Sequence, residues 1–198
     1  DFETAVSLRP DCSWGWAYLS RARMTSGKVD RAVEAIDRAI KLKPGCGWFH
    51  VWRGEILRRT GNFGGATADF DRGLSLDRDY EFGYAWRGGA KRQSGKPAAA
   101  LGDLDLAIKL DPGYPWTVHE RALAFRALGR VEQALGDMET ACRIDPKYSW
   151  CSKPELFSQA LAELDRGLRR HPNLAWAYAW RGDIQIRMRD YRGAQADL

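Results

Sequence analysis

Residues 47–80 read GWFHVWRGEILRRTGNFGGATADFDRGLSLDRDY, and residues 13–46 read SWGWAYLSRARMTSGKVDRAVEAIDRAIKLKPGC. Aligned without a gap, the two stretches share landmarks at their second, fifteenth and twentieth positions: Trp14 and Trp48, Gly27 and Gly61, Ala32 and Ala66. The same step of 34 residues continues along the chain to Gly95 and Gly129. A fixed period of this length indicates a solenoid, in which each unit buries its apolar face against its neighbours.

Each repeat predicts two helices. We number positions from Ser13 in the first repeat, so that helix A covers about positions 1–14 and helix B about positions 17–31. A glycine follows helix A, where the chain needs a left-handed residue to end the helix. In the sixth repeat Arg189 takes the place of this glycine, at an expected cost of up to about 1 kcal/mol. Prolines such as Pro44 and Pro112 then end helix B.

These landmarks resemble the tetratricopeptide repeat: a small residue and a glycine in helix A and its exit, an alanine pair in helix B, and a proline after it. The resemblance covers essentially the whole chain. It implies an all-α fold, namely a right-handed α-solenoid of antiparallel helix pairs with a 34-residue repeat. It also implies that helix A lies on the inner, concave side, which receives partners, and that helix B lies outside.

The repeats predict that residues 1–198 form a single array. Residues 1–12 hold helix B of a truncated repeat, and residues 175–198 form another truncated repeat. Between them lie four full repeats and a shortened one: 13–46, 47–80, 81–114, 115–148 and 149–174. Neither end shows the polar capping repeat that closes a solenoid. We therefore expect a fragment of a longer protein.

The fifth repeat departs from the period, because residues 149–174 number 26 instead of 34. The register is intact on both sides, and eight positions are absent from the middle of helix A. Two explanations remain open. Either this repeat has lost two helical turns, or residues are missing between Ser152 and Lys153.

Positions 7 and 23 change together within the chain. Four repeats carry an arginine at position 7 and an aspartate at position 23: Arg53 and Asp69, Arg87 and Asp103, Arg121 and Asp137, Arg181 and Asp197. The first repeat has Leu19 and Ala35 instead. This joint change predicts a bidentate ion pair between helices A and B of each unit. A pair repeated in unit after unit indicates architecture and not an active site.

Aromatic residues concentrate at positions 2 and 6, on one face of helix A. Position 2 carries Trp14, Trp48, Phe82, Trp116, Trp150 and Trp176, and position 6 carries Tyr18, Trp52, Trp86 and Trp180, interrupted by Glu120. The resemblance implies that this face, with positions 9 and 13, lines the partner-binding groove. The candidate partner-binding residues are Trp14, Tyr18, Trp48, Trp52, Glu55, Arg59, Phe82, Trp86, Trp116, Trp176 and Trp180.

Two interpretations of these aromatic residues remain open. They line a groove that holds a peptide or a partner helix, or they pack mainly between successive repeats. An exposed row of such rings would form a larger apolar patch than monomers usually carry, which favours a groove. Because aromatic faces also stack on sugars, the alternative function is a substrate-recognition or carbohydrate-binding arm of a larger enzyme. We expect Trp48, Trp52 and Trp86 to act as the anchor, with little cost to stability when they are truncated.

No motif in the sequence predicts a catalytic function. No nucleophile, phosphate-loop or metal-ligand motif is present, so we predict a non-enzymatic scaffold without a cofactor that binds a protein or peptide. The net charge is +5, but lysine and arginine are spread along all repeats, which argues against a nucleic-acid partner. No apolar run is long enough to predict a membrane span. The cysteines are not spaced as Cys-x-x-Cys pairs, and reduced thiols favour a cytoplasmic location. The sequence does not predict the oligomeric state.

Overall fold

The computed structural model describes residues 1–148, 157–170 and 172–197, except the side chains of Val131, Gln159 and Trp176. The described residues are helical and contain no strand. They form two compact units, Asp1–Asp111 and Pro112–Leu198. The predicted fold, an all-α solenoid of helix pairs, is confirmed.

The first unit consists of one leading helix and three helix pairs. Their bounds are α1 Phe2–Leu8, α2 Ser13–Thr25, α3 Val29–Leu42, α4 Gly47–Arg59, α5 Phe63–Leu76, α6 Glu81–Gln93 and α7 Pro97–Leu110. Even-numbered helices correspond to helix A of the repeat, and the odd-numbered helices after them correspond to helix B. Each begins and ends within one residue of the predicted positions.

The second unit continues the pattern. Its helices are α8 Pro115–Ala127, α9 Val131–Ile144, a 3₁₀ turn Pro146–Tyr148, α10 Phe157–Arg170, α11 Ala175–Arg187 and α12 Tyr191–Ala196. The predicted irregularity of the fifth repeat and Trp150 fall in residues 149–156, which lie outside the described part of the chain. Within that part, every helix is too short or too polar to cross a bilayer.

Each helix A ends in a left-handed residue, as predicted. The backbone φ angles there are +73° at Gly27, +84° at Gly61, +80° at Gly95 and +71° at Gly129. Arg189 adopts the same conformation, with φ of +63°, although it carries a side chain. The left-handed turn is therefore imposed by the packing of the helix pair, and glycine makes it cheaper.

Small residues bring the two helices of a pair together. A Cβ atom added to Gly54 of α4 would lie 2.8 Å from the Phe70 ring of α5, so only glycine fits at this crossing. In the first pair, Ala32, Ile36 and Ala39 of α3 are fully buried against α2 and α4. The core of each unit thus lies between helices A and B and between successive pairs.

The predicted arginine–aspartate pairs are present and bidentate. Arg53 Nε donates to Asp69 Oδ2 at 2.7 Å and Arg53 Nη2 donates to Asp69 Oδ1 at 2.6 Å. The Arg87–Asp103, Arg121–Asp137 and Arg181–Asp197 pairs have the same geometry. The hydrogen bond to Asp69 is the main cause of a raised pKa at Arg53 and outweighs the opposing effect of burial.

Three of these arginines, at positions 53, 87 and 181, also contact a third helix, which the sequence did not predict. Arg53 Nη1 donates to Asp37 Oδ1 at 2.8 Å, and Asp37 belongs to helix B of the preceding repeat. Arg87 likewise contacts Asp71, and Arg181 contacts Asp165. In each case the two aspartates lie 16 residues before and 16 residues after the arginine. The position-7 arginine therefore joins the two helices of its own repeat to the preceding repeat.

Candidate functional site

The aromatic side chains of the first unit form a continuous series of ring contacts. The ring centroids are 5.4 Å apart between Trp14 and Trp48, 6.1 Å between Trp48 and Trp52, and 6.2 Å between Trp52 and Trp86. Phe82 extends the series, with its ring 5.6 Å from Trp86. We call this surface, with Tyr18 beside Trp14, the aromatic face. It spans helix A of three successive repeats, α2, α4 and α6.

Most side chains of the aromatic face are partly exposed. Trp14 and Tyr18 retain 39% and 43% of their accessible surface, and Trp48, Phe82 and Trp86 are half-buried. Trp48 has a helix pair on each side within the first unit, and its ring stacks nearly parallel to Trp52, at an angle of 13°. Successive rings of the series contact one another, and Trp52 links Trp48 to Trp86.

Trp52 differs from its neighbours because it is buried, with 8% exposure. Its indole N–H donates to Ser20 Oγ at 3.1 Å, and the Ser20 hydroxyl donates to the backbone oxygen of Ala32 at 2.7 Å. Trp52 thus packs between repeats and supports the aromatic face from below. The expectation that its truncation costs little stability does not agree with this burial. Packing between repeats thus describes Trp52, and a groove lined by the exposed members of the row stays a prediction.

The polar residues predicted on this face have different environments. Glu55 is buried, and both of its carboxylate oxygens accept hydrogen bonds from Arg58, at 2.6 Å and 2.8 Å. Arg58 also donates to the Gln93 side-chain oxygen at 2.8 Å. These two acceptors are therefore already engaged within the protein. Arg59, in contrast, is exposed.

Tyr80 lies at the edge of the aromatic face, between the second and third repeats. Its pKa is raised above the ordinary value for tyrosine, first by burial and then by the nearby charges of Glu81 and Asp77. A side-chain hydrogen bond from Trp48 and the charge of Arg21 act in the opposite direction. Arg21 is exposed and lies close enough to influence this hydroxyl. Tyr80 occupies position 34 of its repeat. Apart from its aromatic side chain, nothing in the sequence indicates that it lies at the edge of the aromatic face.

The candidate residues of the second unit have environments of their own. Trp116 is half-buried, with its ring 6.1 Å from Tyr114. Trp180 is half-buried against the apolar core formed by α8 to α11. Glu120, at the interrupted position, is buried. The side chain of Trp176 lies outside the described part of the structure. The aromatic face of the first unit is the candidate site.

The chemistry of the aromatic face is that of its rings. Among the described residues, no group of histidine, cysteine, aspartate or glutamate side chains has a geometry that could hold a metal ion. The surface instead offers flat apolar rings bordered by a few polar groups, and this arrangement is suited to binding. Together with the stacked helix pairs, it defines a helical-repeat scaffold, a class that presents extended surfaces to partners.

Comparison with known proteins places the chain within this class. The tetratricopeptide repeat family model matches residues 19–81. This match identifies residues 19–81 as tetratricopeptide repeats, and the 34-residue period and the helix-pair fold continue in the other described residues. No curated protein matches the chain in sequence.

Solved structures with the same fold are numerous, and all three described here have low sequence identity. YrrB, a TPR protein with an unusual peptide-binding site, is 16% identical, with a TM-score of 0.68 over 98% of this chain and 96% of its own. PilW, a widely conserved type IV pilus biogenesis factor, is 17% identical, with a TM-score of 0.76 over 98% and 86%. The first TPR of Spaghetti (RPAP3), bound to the HSP90 peptide SRMEEVD, is 21% identical, with a TM-score of 0.57 over 59% and 93%.

Proposed function

We propose that the chain binds an extended segment of a partner protein along the aromatic face. The observation that carries this proposal is the series of ring contacts across three successive repeats. Trp14, Trp48, Phe82 and Trp86 are its partly exposed members, and the buried Trp52 links Trp48 to Trp86. Rings held rigidly by a core beneath them lose little conformational freedom when a ligand covers them. For that reason aromatic residues dominate the energy of many interfaces.

The division between buried and exposed residues refines which side chains contact the partner. Trp14, Tyr18, Trp48, Phe82 and Trp86 form the contact surface, with Arg21 and Arg59 at its polar edge. Trp52 and Glu55 support this surface and fix the position of its rings. Peptide binding by YrrB and by the first TPR of Spaghetti is consistent with this use of the fold.

An array of peptides with unbiased sequences, probed with the 198-residue chain, tests the proposal. We expect binding sequences whose affinity falls about tenfold or more in Trp48→Ala and in Trp14→Ala, since truncation of an anchor costs about 2 kcal/mol. Leu76→Ala, an exposed apolar truncation on α5, is the matched control and should bind like the unchanged chain. Circular dichroism establishes that each variant is folded. Binding that is indifferent to Trp14 and Trp48 in folded variants would disprove the proposal.

A further inference from the structure

Among the described polar side-chain groups of the aromatic face, those without a partner are mainly hydrogen-bond donors, and the Tyr18 hydroxyl can both donate and accept. Within the described residues, the indole N–H groups of Trp14 and Trp86 have no hydrogen-bond partner, and neither has the guanidinium of Arg21. Two acceptors nearby, the Glu55 carboxylate and the Gln93 side-chain oxygen, already accept hydrogen bonds from Arg58. A ligand for this face should therefore supply mainly acceptors.

A proline-rich segment has this chemistry. Proline has no backbone N–H, so such a segment presents carbonyl acceptors without matching donors. Its polyproline II conformation forms no internal hydrogen bonds and leaves those carbonyls accessible. The rings of proline pack flat against aromatic surfaces, and the stiff backbone loses little entropy on binding.

Other ligands match the face less well. A sugar carries hydroxyl groups that both donate and accept, and sites for such ligands need converging polar groups of both kinds. A partner helix places bulky side chains into holes, whereas the rings here contact one another with centroids 5.4–6.2 Å apart. An ordinary extended peptide brings a backbone N–H donor with nearly every carbonyl, and the described groups of this surface offer fewer acceptors than donors.

We propose that the aromatic face recognises a proline-rich segment in the polyproline II conformation. This inference rests on the proposed peptide-binding function and specifies its ligand. Trp48 and Trp14 would stack against proline rings, and Arg21 and the Trp14 indole would donate to the carbonyls of the segment.

Three probes of similar length test the inference by tryptophan fluorescence and calorimetry: an oligoproline peptide, a soluble alanine-based peptide and a cello-oligosaccharide. We expect the oligoproline to bind at least about tenfold more tightly than the alanine-based peptide, and Trp48→Ala to remove this preference. Arg21→Gln, at an exposed position that should not affect folding, should weaken oligoproline binding severalfold by removing a donor. Arg38→Gln on α3 is the matched charge control.

The outcomes separate this inference from the proposed function. Equal affinity for the proline and alanine peptides, an unchanged affinity in Arg21→Gln and Trp48→Ala, or preferential binding of the oligosaccharide would overturn it. If the unbiased array yields sequences without proline that depend on Trp48, the inference fails while peptide binding by this face stands. If folded protein binds no array sequence through Trp48, both fail.

Discussion

The indole N–H of Trp52 donates to Ser20 Oγ across the boundary between the first and second repeats, at 3.1 Å. Both side chains are buried, and the Ser20 hydroxyl in turn donates a hydrogen bond to a backbone oxygen of α3. This contact fixes Trp52, and the nearly parallel stacking of Trp48 on Trp52 places the Trp48 ring at the surface. The position of a binding residue is thus set by a residue in the neighbouring repeat.

Removing the Ser20 hydroxyl should destabilise the first unit. In Ser20→Ala the Trp52 indole N–H is left buried without an acceptor, at a cost of about 1–3 kcal/mol. Trp52→Ala should cost about 3–5 kcal/mol because it leaves a cavity between repeats. The free energy of unfolding from urea titrations checks both values. Ser75→Ala, whose hydroxyl bonds only an exposed backbone oxygen, should change little, and an equally small change in Ser20→Ala would contradict the role given to this hydrogen bond.

Arg53 and Asp69 provide the cleanest test of the repeated ion pair, because Asp103 of the next repeat also pairs with Lys91 at 2.7 Å. Arg53→Leu leaves the nearly buried Asp69 carboxylate without its main partner. Since Arg53 is itself partly exposed, we expect a loss of about 2–3 kcal/mol, below the value for a fully buried pair. Arg53→Leu combined with Asp69→Ala should be less destabilised than Arg53→Leu alone.

The first repeat supports that expectation, since Leu19 and Ala35 occupy the same two positions there and are buried. A double-mutant cycle measures the coupling directly. Strictly additive effects of the two substitutions would show that the pair contributes no interaction energy. Asp37→Ala, which removes the more exposed third contact, should cost less than about 1 kcal/mol.

Arg189 offers a stabilising substitution. Its φ of +63° is costly for any residue with a Cβ atom. Arg189→Gly should therefore raise the stability of the second unit by about 0.5–1 kcal/mol, visible as a higher melting temperature. The reciprocal change, Gly129→Ala at φ of +71° in the same unit, should lower it. A melting temperature that falls in Arg189→Gly would mean that its side chain contributes more than the strain costs.

Tyr80 should make stability depend on pH in the alkaline range. Its pKa is raised in the folded state, mainly by burial. The unfolded chain therefore loses the phenol proton first, and the free energy of unfolding should fall as the pH rises above about 10. Tyr80→Phe should reduce this slope when unfolding is compared at about pH 9 and about pH 11. The same slope in both proteins would rule out a contribution from this phenol.

The periodic features were predictable from sequence because each one is repeated. Helix boundaries follow from the glycine and proline positions, and the Arg53–Asp69 pairing follows from the joint change to Leu19 and Ala35. The third contact to Asp37 was missed because an exposed aspartate on helix B looks the same as a solvated surface residue. Its regular recurrence as Asp71 and Asp165 is the signal that could have revealed it.

The depth of each aromatic side chain was not predictable from its position in the repeat. Trp52 and Trp86 both stand at position 6, yet Trp52 is buried and Trp86 is only half-buried. The difference depends on the preceding helix A. Ser20 there offers Trp52 a hydroxyl acceptor, whereas Gly54 stands at the equivalent position of the repeat that precedes Trp86. Only the structure shows that the burial of one side chain depends on a side chain of the neighbouring repeat.

The arginine that stands midway between two aspartates has a consequence for how such a chain can grow or shrink. Excising residues 47–80 in one piece would join Cys46 to Glu81 and bring Arg87 to the place of Arg53, 16 residues after Asp37 and still 16 before Asp103. Duplicating a unit would preserve the same arrangement. Insertions or deletions of whole repeats thus preserve these ion pairs at the junction. An insertion or deletion of any other length would separate the paired charges.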